Sequence, residues 1–299
     1  EFDGRRAKSA AYDLDLLWAT GHADEADYRA VRRWLLALAY MFADADYCRY
    51  GDFWPHREPG EAIAEALKDD MGDCPVPPNF ASEFFSTTGL VAEMVPRHPM
   101  RDAWRRWAME MTDLFFETFF EPDGTYHESL NYHSHALNEM LCYFWPLRIG
   151  GVRDYFAEPR VKGSFRHFIE VLTPPLSAEQ VSPGSGHRGA LRADAGAPRR
   201  RAMPSDGNTG TEGLESDLRG ETIVGAAAYR DDDPALAGAL MTAWAEDGKC
   251  VLDDVHPLLS LLLLDPSAPR GPLPAGSAWR RSLGVFSRAT LRDGAPIWC

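Results

Sequence analysis

The sequence predicts a mainly α chain that turns to β pattern only near its end, and three observations carry that expectation. Apolar residues recur at the 3.6-residue spacing of an amphipathic helix in seven segments; Pro- and Gly-rich breaks separate those segments at ordinary helix lengths; and a two-residue alternation begins only after residue 276. With 299 residues, 45% hydrophobic and 25% charged, the chain has ample material for a packed core and reads as globular and soluble.

The first stripe is Val31, Trp34, Leu35, Leu38, Ala39 and Phe42, one face of a helix at i, i+3, i+4, i+7, i+8 and i+11. Phe84, Thr88, Val91 and Val95 make the second, and Trp104, Trp107, Met111, Leu114 and Phe115 the third. A fourth runs through Leu130, Leu137, Met140, Leu141 and Phe144, with further helices over Phe165 to Leu172, Leu236 to Trp244 and Val255 to Leu264. The breaks are Pro75-Val76-Pro77-Pro78, Pro96 with Pro99, Pro122-Asp123-Gly124, Pro174-Pro175, and Pro266 through Pro274. Residues 182–213 hold no period and are rich in Gly, Pro, Ser, Asp and Arg, the composition of a functional or mobile loop.

Beyond the last break, Leu283, Val285, Ser287, Ala289 and Leu291 alternate with Gly284, Phe286, Arg288, Thr290 and Arg292, a strand pattern. The expected organisation is a helical domain over 1–265, a linker over 266–276, and the first strands of a truncated β domain over 277–299. Ending at Ile297-Trp298-Cys299 just as β pattern begins, the chain reads as cut at the threshold of a strand-rich domain.

Composition excludes several classes. Lys and Arg total 31 against 45 Asp and Glu, a net charge of −14, which argues against a nucleic-acid binder working by phosphate neutralisation. The longest strongly apolar stretch, Leu258 to Leu264, falls far short of the roughly 20 residues of a membrane span. Cys48, Cys74, Cys142, Cys250 and Cys299 are scattered and odd in number, so they encode neither a disulfide framework nor a thiolate zinc site and read as packing residues. The opening residues, Glu1 to Arg6, hold neither an initiator Met nor an apolar signal core, so the compartment is not legible.

The densest polar cluster is Asp123-Gly124-Thr125-Tyr126-His127-Glu128-Ser129-Leu130-Asn131-Tyr132-His133-Ser134-His135, a turn running into a helix start. Tyr, His and Glu are all competent in proton transfer. The plainer reading is helix capping, by Ser129 or Asn131, with aromatic packing around it. A zinc-protease motif fails on spacing, because the residue four after His127 is Asn131.

This segment resembles the heparinase II/III-like polysaccharide lyases, relatives of alginate lyases and dermatan-sulfate epimerase. Pro122 to His133 is similar to the family's D-G-x-x-x-E-x-x-x-Y-H segment, in which the Tyr is the catalytic acid/base. Pro78-Asn79-Phe80 resembles the family's Asn-aromatic or Asn-His pair, and Met203-Pro204-Ser205-Asp206-Gly207-Asn208 its P-x-x-G-[DN] loop. The resemblance implies an incomplete (α/α) toroid leading into a β-sandwich that is largely missing from this chain. It further implies that a second catalytic His, and in some members a structural zinc, belong to residues beyond Cys299, with no cofactor in this chain. Phe80 departs from the relatives that place His at that position.

The implied reaction is β-elimination on a 4-linked uronic acid, and the implied partner is an anionic uronic-acid polysaccharide or oligosaccharide. Asn79 would hydrogen-bond the substrate carboxylate and the enediolate-like intermediate, a donor role worth roughly 3 to 4 kcal/mol where measured elsewhere. Tyr132 would remove the C5 proton, protonate the leaving oxygen, or both. A tyrosine phenol ordinarily titrates near ~10, so base work at neutrality needs positive charge nearby, from His133, His135 or an Arg of the run Arg199 to Arg201. Glu128, His135, Asn208 and Arg201 are the expected substrate contacts, and His133 is expected in the catalytic group as a tuner of Tyr132 or a substrate contact. Arg97, Arg101, Arg105 and Arg106 either join a local basic patch or solvate helix faces.

Three other readings use the same residues. A C5-epimerase would remove and return the proton without expelling the leaving group. A glycoside hydrolase would need two carboxylates, from Asp123, Glu128 and Asp206, at one of two defined separations. A non-catalytic glycan-binding protein would stack sugars on Trp54, Trp104, Trp107, Tyr126, Tyr132 and Trp145, although most of these sit on helical stripes and fit a core equally well.

Overall fold

The computed structural model describes residues 3–43, 78–175, 201, 203–204, 215–216, 220–249, 251, 257–275, 278–281, 284–290 and 296–298. It is mainly helical, and no helix among the described residues is long and apolar enough to cross a membrane. The helices are α1 (Asp3–Ala19), α2 (Glu25–Ala43), α3 (Pro78–Met94), α4 (Arg101–Phe119), α5 (Leu130–Ile149), α6 (Pro159–Glu170), α7 (Glu221–Tyr229), α8 (Pro234–Glu246) and α9 (Pro257–Leu263). A 3-10 turn, Tyr155–Ala157, precedes α6. The strands are β1 (Met203–Pro204), β2 (Glu215–Ser216), β3 (Ala278–Arg281), β4 (Gly284–Thr290) and β5 (Pro296–Trp298). β1 pairs with β2, and β3, β4 and β5 form an antiparallel sheet in that order.

The chain divides into two compact units, one of 1–119 with 139–154 and one of 120–138 with 155–299. In the first, α3 is the central helix, packed by α1, α2 and α4. Every residue from Ala81 to Ala92 is buried, so the expected one-sided stripe is the visible part of a helix covered all round. One of its polar members is absorbed locally: Ser86 Oγ donates to the Ser82 carbonyl one turn back. Of the α2 stripe, Leu35, Leu38, Ala39 and Phe42 are buried, while Val31 is partly buried and Trp34 is exposed. Asp24 caps that helix, its Oδ1 accepting from the amides of Ala26 at 2.7 Å and Asp27 at 2.9 Å.

Periodicity does not reveal α1, because in its buried stripe of Gly4, Ala7, Lys8, Ala11 and Leu14 a single bulky apolar residue stands among small and charged ones. Its docking is polar. Lys8 and Glu139 are fully buried and form an ion pair, and Arg5 Nε lies 3.1 Å from the same carboxylate. Glu83 of α3 completes the cluster, accepting from the Gly4 amide at 2.9 Å with its Oε2 3.8 Å from Arg5. Further along, Pro146 inside α5 cannot donate to the Cys142 carbonyl, and the Tyr12 hydroxyl of α1 donates to that oxygen instead at 2.6 Å. Cys142, the cysteine within the described residues, is buried and unoxidised.

Burial, reinforced by the neighbouring Glu139, pushes the Glu83 carboxyl up from 4.5 to about 7, against the lowering pull of Lys8, Arg5 and the Gly4 amide. A raised carboxyl favours the protonated fold, so this contribution to stability is complete below pH 4.5 and is lost as pH rises through about 7. Glu83→Gln, which mimics the neutral form, is therefore expected to match wild type at low pH and to exceed it increasingly across that window. Thermal midpoints of the two proteins measured from pH 4 to about 8 check this; a constant gap would contradict it.

In the second unit α7 packs on α8, α9 on α7, and α6 on both α8 and the 3-10 turn. Asp233 caps α8 by accepting from the Leu236 amide at 3.1 Å, ahead of Pro234 at the first helical position. The same carboxylate takes Lys162 at 2.9 Å and Arg166 at 3.2 Å from α6; those bonds, Lys162 first, hold it below its ordinary range. α6 starts at Pro159, earlier than its apolar stripe suggests, since Pro at the first turn opens the helix without an apolar residue. The stretch after α9 lies against α8, where Gly238 and Gly271 meet backbone to backbone and Thr242 Oγ1 donates to the Gly271 carbonyl at 2.6 Å. β4 occupies the alternating segment expected to be a strand.

Candidate active site

The polar cluster singled out from sequence lies in the second unit, as a closed turn leading into α5. Phe120 and Tyr126 form an isolated antiparallel bridge, and the Glu121 amide donates to the Thr125 carbonyl at 2.8 Å. Gly124 closes the turn at φ +85°, its amide donating to the Glu121 carbonyl at 2.9 Å. Asp123 Oδ1 accepts from the Thr125 amide at 3.0 Å, the local bond that makes Asp a turn former.

α6 fixes this turn from outside. Arg160 Nε donates to the Phe120 carbonyl at 3.2 Å and Ser164 Oγ to the Gly124 carbonyl at 3.1 Å. A Cβ on Gly124 would fall on the α6 backbone at Gly163 and Ser164, and one on Gly163 would fall on Asp123, so two glycines permit the contact. Gly124→Ala is expected to cost about 1 to 3 kcal/mol through overpacking, readable as a lower urea midpoint.

Within the turn, the Tyr126 hydroxyl donates to Glu128 Oε2 at 2.8 Å. Tyr126 is buried against Phe120, with ring centroids 4.8 Å apart, and its phenol is pushed well above its ordinary range by burial and by the adjacent Glu128. Burial also raises the Glu128 carboxyl, opposed by the bond from Tyr126. His127 Nε2 lies 3.0 Å from Glu121 Oε1 at the surface.

α5 then carries Tyr132, His133 and His135. His133 is 1% exposed inside a ring of Phe120, Tyr126, His167 and Phe168, with centroids 4.6 to 5.6 Å away. His135 is buried as well. The helix is anchored by Glu221, the first residue of α7 and fully buried, which accepts from Ser134 Oγ at 2.8 Å and Asn138 Nδ2 at 3.2 Å. Along the stretch 130–144 every residue is buried except Tyr132, which is partly exposed. Ser129 Oγ takes the Tyr132 amide at 3.4 Å, the capping role expected of Ser129.

The remaining candidates stand elsewhere. Asn79 is in the opening turn of α3, in the first unit. Arg201 is held by other groups of the second unit, donating Nη1 to the Thr173 carbonyl at 2.8 Å with Nε 3.8 Å from Glu246, and its burial lowers the guanidinium's proton affinity. Asn208, Asp206, the run Arg199-Arg200 and nearly all of the irregular 182–213 segment lie outside the described residues. Sequence reasoning missed Glu221, which no period or motif marks, and Arg160 and Ser164, whose i, i+4 pairing on α6 points at the turn. Among the described residues no group of three or more His, Cys, Asp or Glu could hold a metal ion. No family model, curated protein or solved structure matches the chain.

Proposed function

We propose that the chain is the helical part of a polysaccharide lyase, an incomplete (α/α) toroid preceding a β-sandwich, that cleaves a 4-linked uronic-acid glycan by β-elimination. The observation that carries this reading is the single accessible phenol on an otherwise buried helix face. Tyr132 meets solvent while its neighbours are committed to the core and to Glu221. A side chain used only for packing has no need of so heavily braced a mount, whereas proton transfer demands a fixed donor–acceptor geometry.

In this reading Tyr132 takes the C5 proton and returns a proton to the leaving glycosidic oxygen on the same face. His133, buried in its ring cluster, is read as tuning Tyr132 rather than as touching substrate. Glu128 takes sugar hydroxyls. The carboxylate-neutralising amide is assigned to Asn79, and a sugar contact to Asn208, on sequence resemblance; His135 and Arg201 are assigned as sources of positive charge for the site.

The test is ultraviolet absorbance of the unsaturated uronate formed from alginate, heparan sulfate, chondroitin, hyaluronan and ulvan, each incubated with the protein. A rise with one polymer names the substrate class. Solvent deuterium entering C5 with no unsaturation would assign an epimerase, and glycan binding with neither outcome a carbohydrate-binding protein.

A further inference from the structure

Tyr126 is not a surface aromatic awaiting a sugar. It is buried, packed at a tilt against Phe120 and 5.6 Å from the His133 ring, and its hydroxyl is spent on one oxygen of Glu128. Among the described residues the other oxygen, Oε1, takes no hydrogen bond, and Glu128 is only partly buried. A carboxylate has about four acceptor sites on its two oxygens, so most of this one's capacity is unspent. The turn around it is closed by the Phe120–Tyr126 bridge and pinned by Arg160 and Ser164, so the Tyr126 ring has little freedom to follow a moving carboxylate.

We propose that Tyr126 is a positioning residue whose buried phenol clamps Oε2 of Glu128, leaving Oε1 as a fixed acceptor for a hydroxyl of the bound glycan. The proposal rests on the lyase reading for its ligand. It accounts for an otherwise costly feature, a half-buried carboxylate whose hydrogen-bonded partner is neutral. The ionisable groups around the pair are His133 on α5, Arg160 on α6, and Asp123, Glu121 and His127 of the turn; Glu121 and His127 pair with each other at 3.0 Å. None of them donates to Glu128, so the phenol is the group that counters the carboxyl's tendency to protonate.

The test is Tyr126→Phe, Glu128→Gln and the double variant, with cleavage rates over a pH series and binding to uronic-acid oligosaccharides by calorimetry. Tyr126→Phe keeps the ring and its packing against Phe120. It is expected to raise KM and weaken binding about tenfold, the loss of one bond to a charged group, while kcat changes little. It should also move the acid limb of kcat/KM to higher pH. Glu128→Gln should abolish that limb, and Tyr126→Phe should add nothing to it in the double variant. Unchanged KM and acid limb in Tyr126→Phe, or full additivity, would overturn the clamp and leave the lyase standing. Oligosaccharide binding with these mutant effects but no cleavage would overturn the lyase and keep the clamp; neither binding nor cleavage would overturn both.

Discussion

Replacing Tyr132 by Phe is expected to remove unsaturated-product formation almost completely, by about 10² to 10⁴-fold, while leaving folding and glycan binding close to wild type. The substitution deletes one oxygen from a partly exposed side chain and keeps the ring, so the helix packing around it is retained. The Ser129 cap engages the Tyr132 backbone amide, which Phe retains. Steady-state rates on the responsive polymer, with thermal midpoints and calorimetric affinity as controls, separate the outcomes. Activity retained within a few-fold would remove Tyr132 from the proton transfer and with it the lyase reading as framed. The same experiment distinguishes a pure binding protein, in which affinity alone would be measurable and would survive.

Lys8→Met is expected to be the most destabilising single change in the first unit, at about 3 to 5 kcal/mol. The ammonium is fully buried and ion-paired with Glu139, also fully buried, so its removal leaves a carboxylate in the interior with Arg5 as its remaining cation. Burying a charge without sufficient partners costs more than the pair contributes. A double variant, Lys8→Met with Glu139→Met, is therefore expected to recover most of the loss, since similar-volume apolar replacements of a buried pair are often neutral. Urea unfolding of the wild type, single and double variants gives the cycle. A loss below about 1 kcal/mol in the single variant would mean the pair behaves like a solvated surface ion pair.

The helices that sequence places correctly are those whose buried faces are bulky and apolar. Leu35 to Phe42 and Trp104 to Phe115 announce themselves because the period of burial largely coincides with the period of large side chains, although Trp34 is exposed and Trp107 and Leu114 are only partly buried. α1 and α7 escape this logic for opposite reasons. The α1 interface is alanine, glycine and buried charge with Leu14 as its one bulky apolar residue, and the α7 sequence Glu221 to Tyr229 is short and buried nearly all round, so neither produces a stripe. The turn-to-helix junction is legible as a chemical cluster because its polar residues are consecutive.

By itself the sequence determined the mainly α character, most helix positions, the Pro and Gly breaks between them and the concentration of proton-transfer groups at 123–135. Local periodicity and turn chemistry act over a few residues and are written directly in the chain. Only the tertiary structure decided which of those groups meets solvent, with Tyr132 accessible and His133 and His135 buried. It also decided that Glu221 anchors α5, that α6 pins the turn, and that Lys8, Arg5, Glu83 and Glu139 share one interior. Those pairings join residues 40 to 134 positions apart, and no local period can encode which distant polar group will arrive to satisfy a buried one.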